Sequence, residues 1–419
     1  MRILQVNKFF DLHGGAEIYA HRLIKAQREA GHEVHVFSTQ SEKNLPSESQ
    51  DEKYFVTRNI LNQWQGPVKD VKKALQFVWN REAEVSMRKM LREYRPDVVH
   101  VHNIYHHLSA SILRPIREFH IPCVQTLHDY KLACPSYSMF TQGAPCERCK
   151  GGKYLNAVKN NCVFASLPGN LLVAFEMGLT KSFQMYEKTM QSFICPSHFM
   201  KEKMEDWGEP ASKLVYAPNP VTVADKPAER GGGYVLSAGR LSKEKGIDSF
   251  LRAAVQIPEL KVKIAGRGPE EELLQKIVRD AGAKNIEFLG FQSPDALSVI
   301  RAKADALIMS SIWYENASTS VLEAMGDGIP CIGTRIGGTP ELIEDGEDGW
   351  LVAPGDVKDW VATLRGFMRT PEEERARRGM SARRKILETR TWPKHLADLD
   401  HIYADAIQTV RASSPNMIY

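Results

Sequence analysis

Two glutamates, Glu315 and Glu323, are the side chains of this sequence whose surroundings most clearly suggest chemistry. They lie in Trp313-Tyr-Glu-Asn-Ala-Ser-Thr-Ser-Val-Leu-Glu-Ala-Met325, after the apolar run from Asp305 to Met309 and before Gly326 and Gly328. The pattern predicts a buried strand, a polar loop, and a helix that begins near Ser318 and stops at the glycines. The first amides of a helix have no partner of their own and carry the positive end of its dipole. Residues 317 to 320 therefore form a seat for a phosphate. Glu315 then stands at the mouth of that seat, with Glu323 one to two turns into the helix. A diphosphate between two such carboxylates would carry hydroxyl-bearing groups on both sides, as a nucleotide sugar does. The competing reading makes Ser320-x-x-Glu323 a capping box and Glu315 a solvated loop acid.

A departing diphosphate needs positive charge beside it. No Asp-x-Asp pair follows a strand here to hold a divalent ion, but Gly239-Arg240-Leu241-Ser242-Lys243-Glu244-Lys245-Gly246 follows an apolar run. Arg240 offers a planar fork and Lys245 a compact charge, and two cations with helix amides can stabilise the leaving group. Lys243 reads as an ordinary surface lysine. Three glycine-rich loops follow other strand-like runs: Gly14-Gly15, Gly266-Arg267-Gly268 with Pro269, and Gly337-Gly338-Thr339-Pro340-Glu341. In the last, Thr339 reads as the cap and Pro340 as the first helical residue. Histidines stand at two further strand exits, His100 and His102 after Asp97-Val-Val, and His128-Asp129 after Ile121 to Leu127. His100 and His102 read as lining or packing.

The Glu315-x7-Glu323 element after a strand resembles the signature of the retaining glycosyltransferases of family 4. The resemblance runs from His13-Gly14-Gly15-Ala16-Glu17 to Gly337-Gly338-Thr339-Pro340-Glu341, nearly the whole chain. It implies an α/β protein of GT-B fold, two Rossmann-like doubly wound domains facing a central cleft. It implies a nucleotide-diphosphate sugar as donor, a hydroxyl-bearing acceptor, retention of anomeric configuration, and no cofactor required for catalysis. It assigns Glu323 to the ribose and Glu315 to sugar hydroxyls, with Asn316, Ala317, Ser318 and Thr319 along the donor. Gly14, Gly15 and Gly239 fall beside the diphosphate, Gly266 and Arg267 near the base, and Arg240 and Lys245 replace a metal. His128, in Thr126-x-His128-Asp129, would orient the reacting sugar rather than attack it. Asn316-Ala317 departs from the commoner Gly or Phe-Gly, which bears on loop shape and sugar choice. A phosphorylase, a nucleotide-sugar epimerase or a non-catalytic subunit would use the same fold. A dehydrogenase would need a clean G-x-G-x-x-G with a downstream acid, which no strand here supplies.

These residues need two scaffolds. At 419 residues the chain is too long for one core. Alternating strand and helix patterns predict one domain over 1–218 and a second over 219–392, entered through Pro218-Asn219-Pro220. The resemblance implies that a last helix, about 393–419, packs back on the first domain. A net charge of +4 gives no reason to expect nucleic acid. No apolar stretch reaches the roughly 18 residues of a membrane span, and the N-terminus runs straight into a strand with no signal peptide. Seven cysteines in that setting point to a reducing cytoplasm. Four of them, Cys134, Cys146, Cys149 and Cys162, have a spacing that could hold a structural zinc or leave free thiols. Lys69, Lys72, Lys73, Arg81, Arg88, Lys89, Arg92 and Arg95 crowd one predicted helix. They read either as a solvated face or as a peripheral contact with the inner membrane face. The latter would suit a lipid-linked or polysaccharide acceptor.

Overall fold

The computed structural model describes residues 1–12, 14–46, 50–59 and 67–413; His13 lies outside them. In the first half, β1 (Arg2–Val6), β2 (Glu33–Phe37), β3 (Val98–Val101) and β4 (Cys123–Thr126) precede a short hairpin, β5 (Phe140–Thr141) and β6 (Ala144–Pro145). β7 (Ser192–Cys195) and β8 (Leu214–Tyr216) complete a parallel sheet of order β2-β1-β3-β4-β7-β8. The second half builds β9 (Val235–Ala238), β10 (Val262–Ala265), β11 (Ile286–Gly290), β12 (Ala306–Met309), β13 (Cys331–Thr334) and β14 (Gly349–Val352). Their order is β11-β10-β9-β12-β13-β14, again parallel. Strands such as Val98–Val101 and Ala306–Met309 are buried along their whole length, which is why they read as unbroken apolar runs. Each sheet reverses its order once, beside β1 in the first and beside β9 in the second. Open α/β sheets bind ligands at the carboxyl ends of the strands flanking such a point.

The last helix, Trp392–Ser413, belongs to the core of the first sheet. Its Leu399, Ile402, Tyr403 and Ala406 are buried with Ile3, Leu23, Val98 and Val124. The opposite face of that sheet packs on Ala83, Met87 and Leu91 of the helix Arg81–Tyr94. The second sheet has its own two cores, one around Phe250 and Trp360 and one around Leu322 and Ile386.

Two local expectations need correcting. The basic run is two helices, Pro67–Val78 and Arg81–Tyr94. They divide at Asn80, whose Oδ1 accepts from the Ala83 amide at 3.1 Å while its Nδ2 donates to the His107 carbonyl at 2.8 Å. A buried side chain bonded to both chain segments caps a helix better than it continues one. Much of the positive charge on the second helix is matched: Arg88 pairs with Glu84 and Glu118, and Lys89 with Glu93. The side chain of Lys69 lies outside the described residues. The helix Leu167–Ser182 starts where Ser166 accepts from the Gly169 amide and caps it. The short helix Thr339–Leu342 has Gly338, not Thr339, in the capping position.

Candidate functional site

The exits of β1, β4, β9 and β12 face one another across a cleft of about 400 Å³. Gly15 begins the helix Gly15–Glu29, and Thr319 begins the helix Thr319–Gly326. A Cβ built on Gly15 would stand 3.9 Å from Thr319 Oγ1, so the two helix starts meet in the cleft. Their free amides and dipoles favour an anion between them. Arg240, exposed after β9, lines the same space with Asn316, Ala317 and Ser318.

Glu315 is buried at the edge of this cleft. Its Oε2 accepts three hydrogen bonds, from Lys245 Nζ at 2.8 Å, Ser311 Oγ at 2.9 Å and Trp313 Nε1 at 2.9 Å. Burial pushes its carboxyl up, but the Lys245 charge and these donors outweigh burial and hold it below the usual carboxylate range. Glu315 is therefore ionised, with one oxygen fully used. Its loop is wedged in place from behind. Gly337 adopts φ +60°, and a Cβ there would lie 2.3 Å from the Glu315 carbonyl oxygen; the Gly338 amide donates to that same oxygen at 2.7 Å. Only glycine tolerates both the left-handed backbone and the contact.

The neighbours of Glu315 reach into the first domain. Asn316 Oδ1 accepts from Ser197 Oγ at 2.6 Å, and its Nδ2 donates to the Leu127 carbonyl at 3.2 Å. Tyr314 donates its hydroxyl to Glu147 at 2.8 Å, a residue of the cysteine-rich loop that Lys203 also holds. Glu341 accepts from the His198 and Phe199 amides at 2.8 and 2.6 Å, capping the helix His198–Asp206 of the opposite domain. Sequence reasoning placed Glu341 in a glycine loop but not in this role, which depends on a partner 143 residues away. Arg22, Tyr19, Arg301 and Trp392 were likewise not singled out, since no local pattern marks them.

Not every expected residue lines the cleft. Lys245 does, but as the partner of Glu315 rather than as a free cation. Glu323 is shared between Arg22 of the first domain, at 3.2 Å, and Arg301 of the second, at 2.8 Å. Gly266 stands at the exit of β10, where a Cβ would meet the Gly239 carbonyl at 1.8 Å; it keeps the two strand exits in contact. Arg267 lies beside Gly290. Gly14 is extended, with Glu17 packed against it.

His128 lines the cleft from the other side. Behind it lies a buried polar cluster: His102 Nδ1 meets His128 Nε2 at 3.0 Å, and His100 meets Tyr403 at 2.6 Å and Thr126 at 2.7 Å. Burial pushes His128 down to about 3 and His395 to about 4, and drives His100 and His102 well below the ordinary histidine value. All four are neutral at physiological pH. The expectation that His100 and His102 pack rather than react matches their complete burial.

Cys134, Cys146, Cys149 and Cys162 converge on one small pocket next to the hairpin β5–β6. All are free thiols. Burial and the three neighbouring sulfurs push Cys149 up to about 12. Among the described residues no three His, Cys, Asp or Glu side chains are arranged as a ready metal site.

With this geometry in view, the comparisons with known proteins agree in kind. A model described as Glycosyltransferase Family 4 matches residues 13–225, and one described as Glycosyl transferases group 1 matches residues 223–385. A sulfoquinovosyl transferase of Arabidopsis thaliana is 34% identical over 141 residues, which are 33% of this chain and only 27% of that protein. The N-acetyl-alpha-D-glucosaminyl L-malate synthase of Bacillus anthracis is 25% identical over 404 residues, covering 94% of this chain and 95% of the relative. Anabaena HepE, solved in complex with UDP and glucose, superposes with a TM-score of 0.68 at 17% identity over 97% of this chain and 100% of its own. That likeness establishes the GT-B fold.

The buried histidines set a pH dependence. In the unfolded chain each takes a proton near its ordinary value of 6.5; in the fold His128 and His395 resist until about 3 and about 4. Between those limits the unfolded state binds more protons, so stability is complete above 6.5 and is lost as pH falls. The thermal midpoint, measured by calorimetry in steps from pH 7 to pH 4, should fall continuously. A flat profile over that range would mean the histidines are exposed.

Proposed function

The chain belongs to glycosyltransferase family 4, and we propose that it moves a sugar from a nucleoside-diphosphate donor to an acceptor hydroxyl with retention at the anomeric carbon. Protein cations would take the place of a divalent ion. The observation that carries this reading is the asymmetry of Glu315. Three donors converge on Oε2, and no hydrogen bond to Oε1 is formed among the described residues. An ionised carboxylate with one free oxygen at a cleft is suited to accept from a sugar hydroxyl. The diphosphate would lie between the helix starts at Gly15 and Thr319, with Arg240 facing it. As the bond to the sugar breaks, negative charge grows on the diphosphate, and amides and guanidinium fixed in advance stabilise it. The departing oxygen would assist attack from the same face, so no protein nucleophile is needed. Glu323 would exchange its Arg22 contact for ribose hydroxyls. A uridine diphosphate sugar is the donor to try first, since HepE was solved with UDP and glucose.

The acceptor is proposed to be a lipid-linked or polysaccharide intermediate met at the inner membrane face. The supporting surface is not the helix Arg81–Tyr94 but its neighbours. Leu167, Leu171 and Phe175 recur every fourth residue on the helix Leu167–Ser182 and are exposed, as are Leu155, Val71 and Leu75. A groove of about 730 Å³ beside them is lined by Leu155, Leu171 and Phe175 together with Lys153 and Lys159. Apolar ridges with a lysine rim suit an anionic bilayer surface. No helix of the described residues is long and apolar enough to cross a membrane. The cysteine pocket is proposed to close on one structural zinc, with the convergence of four thiols as its support.

Three measurements test these readings. Transfer should persist in excess chelator, while Glu315→Gln and Arg240→Lys each lower kcat by about a hundredfold. Full dependence on added magnesium, or an unimpaired Glu315→Gln, would show that the site is misassigned. Sedimentation with anionic liposomes should fall for the double variant Leu171→Ser, Phe175→Ser, and binding equal to that of the parent protein would remove this face from consideration. Elemental analysis of protein purified without added metal should give about one zinc per chain; four titratable thiols and no metal would refute the closed site.

A further inference from the structure

The polar groups behind His128 form a line of hydrogen bonds that reaches from Thr126 to the cleft, and its direction can be worked out from the two glutamines in its middle. Gln27 Nε2 donates to the Tyr403 hydroxyl at 3.0 Å, so the Tyr403 hydrogen is directed to His100 Nδ1, at 2.6 Å. A neutral His100 then carries its own hydrogen on Nε2, 2.7 Å from Thr126 Oγ1. In the other direction Gln5 Nε2 donates to Gln27 Oε1 at 2.8 Å. The remaining atom of Gln5, its Oε1, must accept from His102 Nε2 at 2.8 Å. His102 Nδ1 is thus a lone pair, and the His128 Nε2–H donates to it at 3.0 Å.

Each step follows because a neutral imidazole has one donor and one acceptor, and a hydroxyl has one hydrogen. The line runs from Thr126 on β4 through β3, the C-terminal helix, the helix Gly15–Glu29 and β1, returns to the end of β3, and ends at the cleft. Nothing along it is charged, which agrees with the burial of every member between. Its last free atom is His128 Nδ1, for which no hydrogen bond is formed among the described residues although His128 lines the cleft.

We propose that this line fixes His128 in the Nε2–H tautomer, so that Nδ1 meets the bound sugar as an acceptor and selects a hydroxyl that can donate. His102, Gln5, Gln27 and Tyr403 are positioning residues for that one atom. The role assigned to the sugar rests on the transfer reading above; the tautomer does not. A histidine free to switch would accept or donate indifferently and could also take up a proton. One held by a directed chain can do only the first.

The tautomer is measurable in the ligand-free protein. With ¹⁵N-labelled histidine, and the His128 signals identified by their loss in His128→Gln, Nε2 should carry the hydrogen and Nδ1 should show a bare lone pair. Neither should titrate between about pH 6 and 8, where an ordinary histidine would. An Nδ1–H tautomer, or titration in that range, overturns the proposal. Tyr403→Phe keeps the ring and cuts the line in its middle. His128 should then show both tautomers, and kcat should fall about tenfold with little change in the donor KM, since orientation rather than binding is lost. A single unchanged tautomer with unchanged kcat would equally defeat it. A protein with the expected tautomer but no transfer from any nucleotide sugar would refute the transfer reading and leave the relay intact.

Discussion

A carboxylate taken out of water must be compensated, and the compensation of Glu315 organises much of this molecule. Its three donors come from two strand exits, Lys245 after β9 and Ser311 and Trp313 after β12. The sheet order that places β9 beside β12 is thus what allows the pair to form. Removing Lys245 would leave a buried charge with only neutral donors, which is typically far costlier than losing a surface pair. The contact also sets the backbone: with the carboxylate anchored, the Glu315 carbonyl is turned outward to the Gly338 amide, and Gly337 must lack a side chain. Asn316 then projects into the first domain.

The two halves are joined in two chemically different ways. Across the cleft the Tyr314 ring packs on Phe199 and Tyr130, but many contacts are polar: the Glu341 cap, the Arg22–Glu323 pair, Asn316 and the Tyr314–Glu147 bond. Water can replace such partners at small net cost, because a typical hydrogen bond contributes only about 1 kcal/mol over its solvated alternative. The C-terminal helix instead buries Leu399, Ile402 and Tyr403 in the first sheet's core, where no such exchange is available. The tether is therefore anchored in a core away from the cleft, and only its first residue, Trp392, is among the residues that line the cleft.

Much of the scaffold was legible because parallel strands buried on both faces leave unbroken apolar runs. The apolar run from Asp305 to Met309 is the strand Ala306–Met309, and the run from Ile121 to Leu127 holds the strand Cys123–Thr126. The start of the helix Thr319–Gly326, just after Ser318, was also legible, because the helical period and the glycine stop are local signals. What escaped was decided by distant partners. Asn80 divides one basic run into two helices through a bond to His107. Arg301 becomes a partner of Glu323 only once the second domain folds, and Arg22 only once the two domains are stacked. The pairing of Lys245 with Glu315, likewise, spans 70 residues and could not be told from a diphosphate contact by spacing.

The cleft holds two ionisable groups whose environments drive them to opposite charge states. Glu315 is buried but meets an ammonium and two neutral donors, and stays ionised. His128 is surrounded by neutral groups and other imidazoles, and burial leaves it uncharged. In the proposed transfer both would face a sugar as acceptors, one charged and one neutral, and the positive partners of the cleft would be left to Arg240 and the two helix starts. Such a division would set donors against phosphates and acceptors against hydroxyls, the polarity a nucleotide sugar presents. A protonated His128 would put a second cation next to the sugar instead of beside the leaving group, in the wrong place to stabilise charge that grows on the diphosphate. Burying the histidine behind a line of uncharged hydrogen bonds is what keeps that cation out.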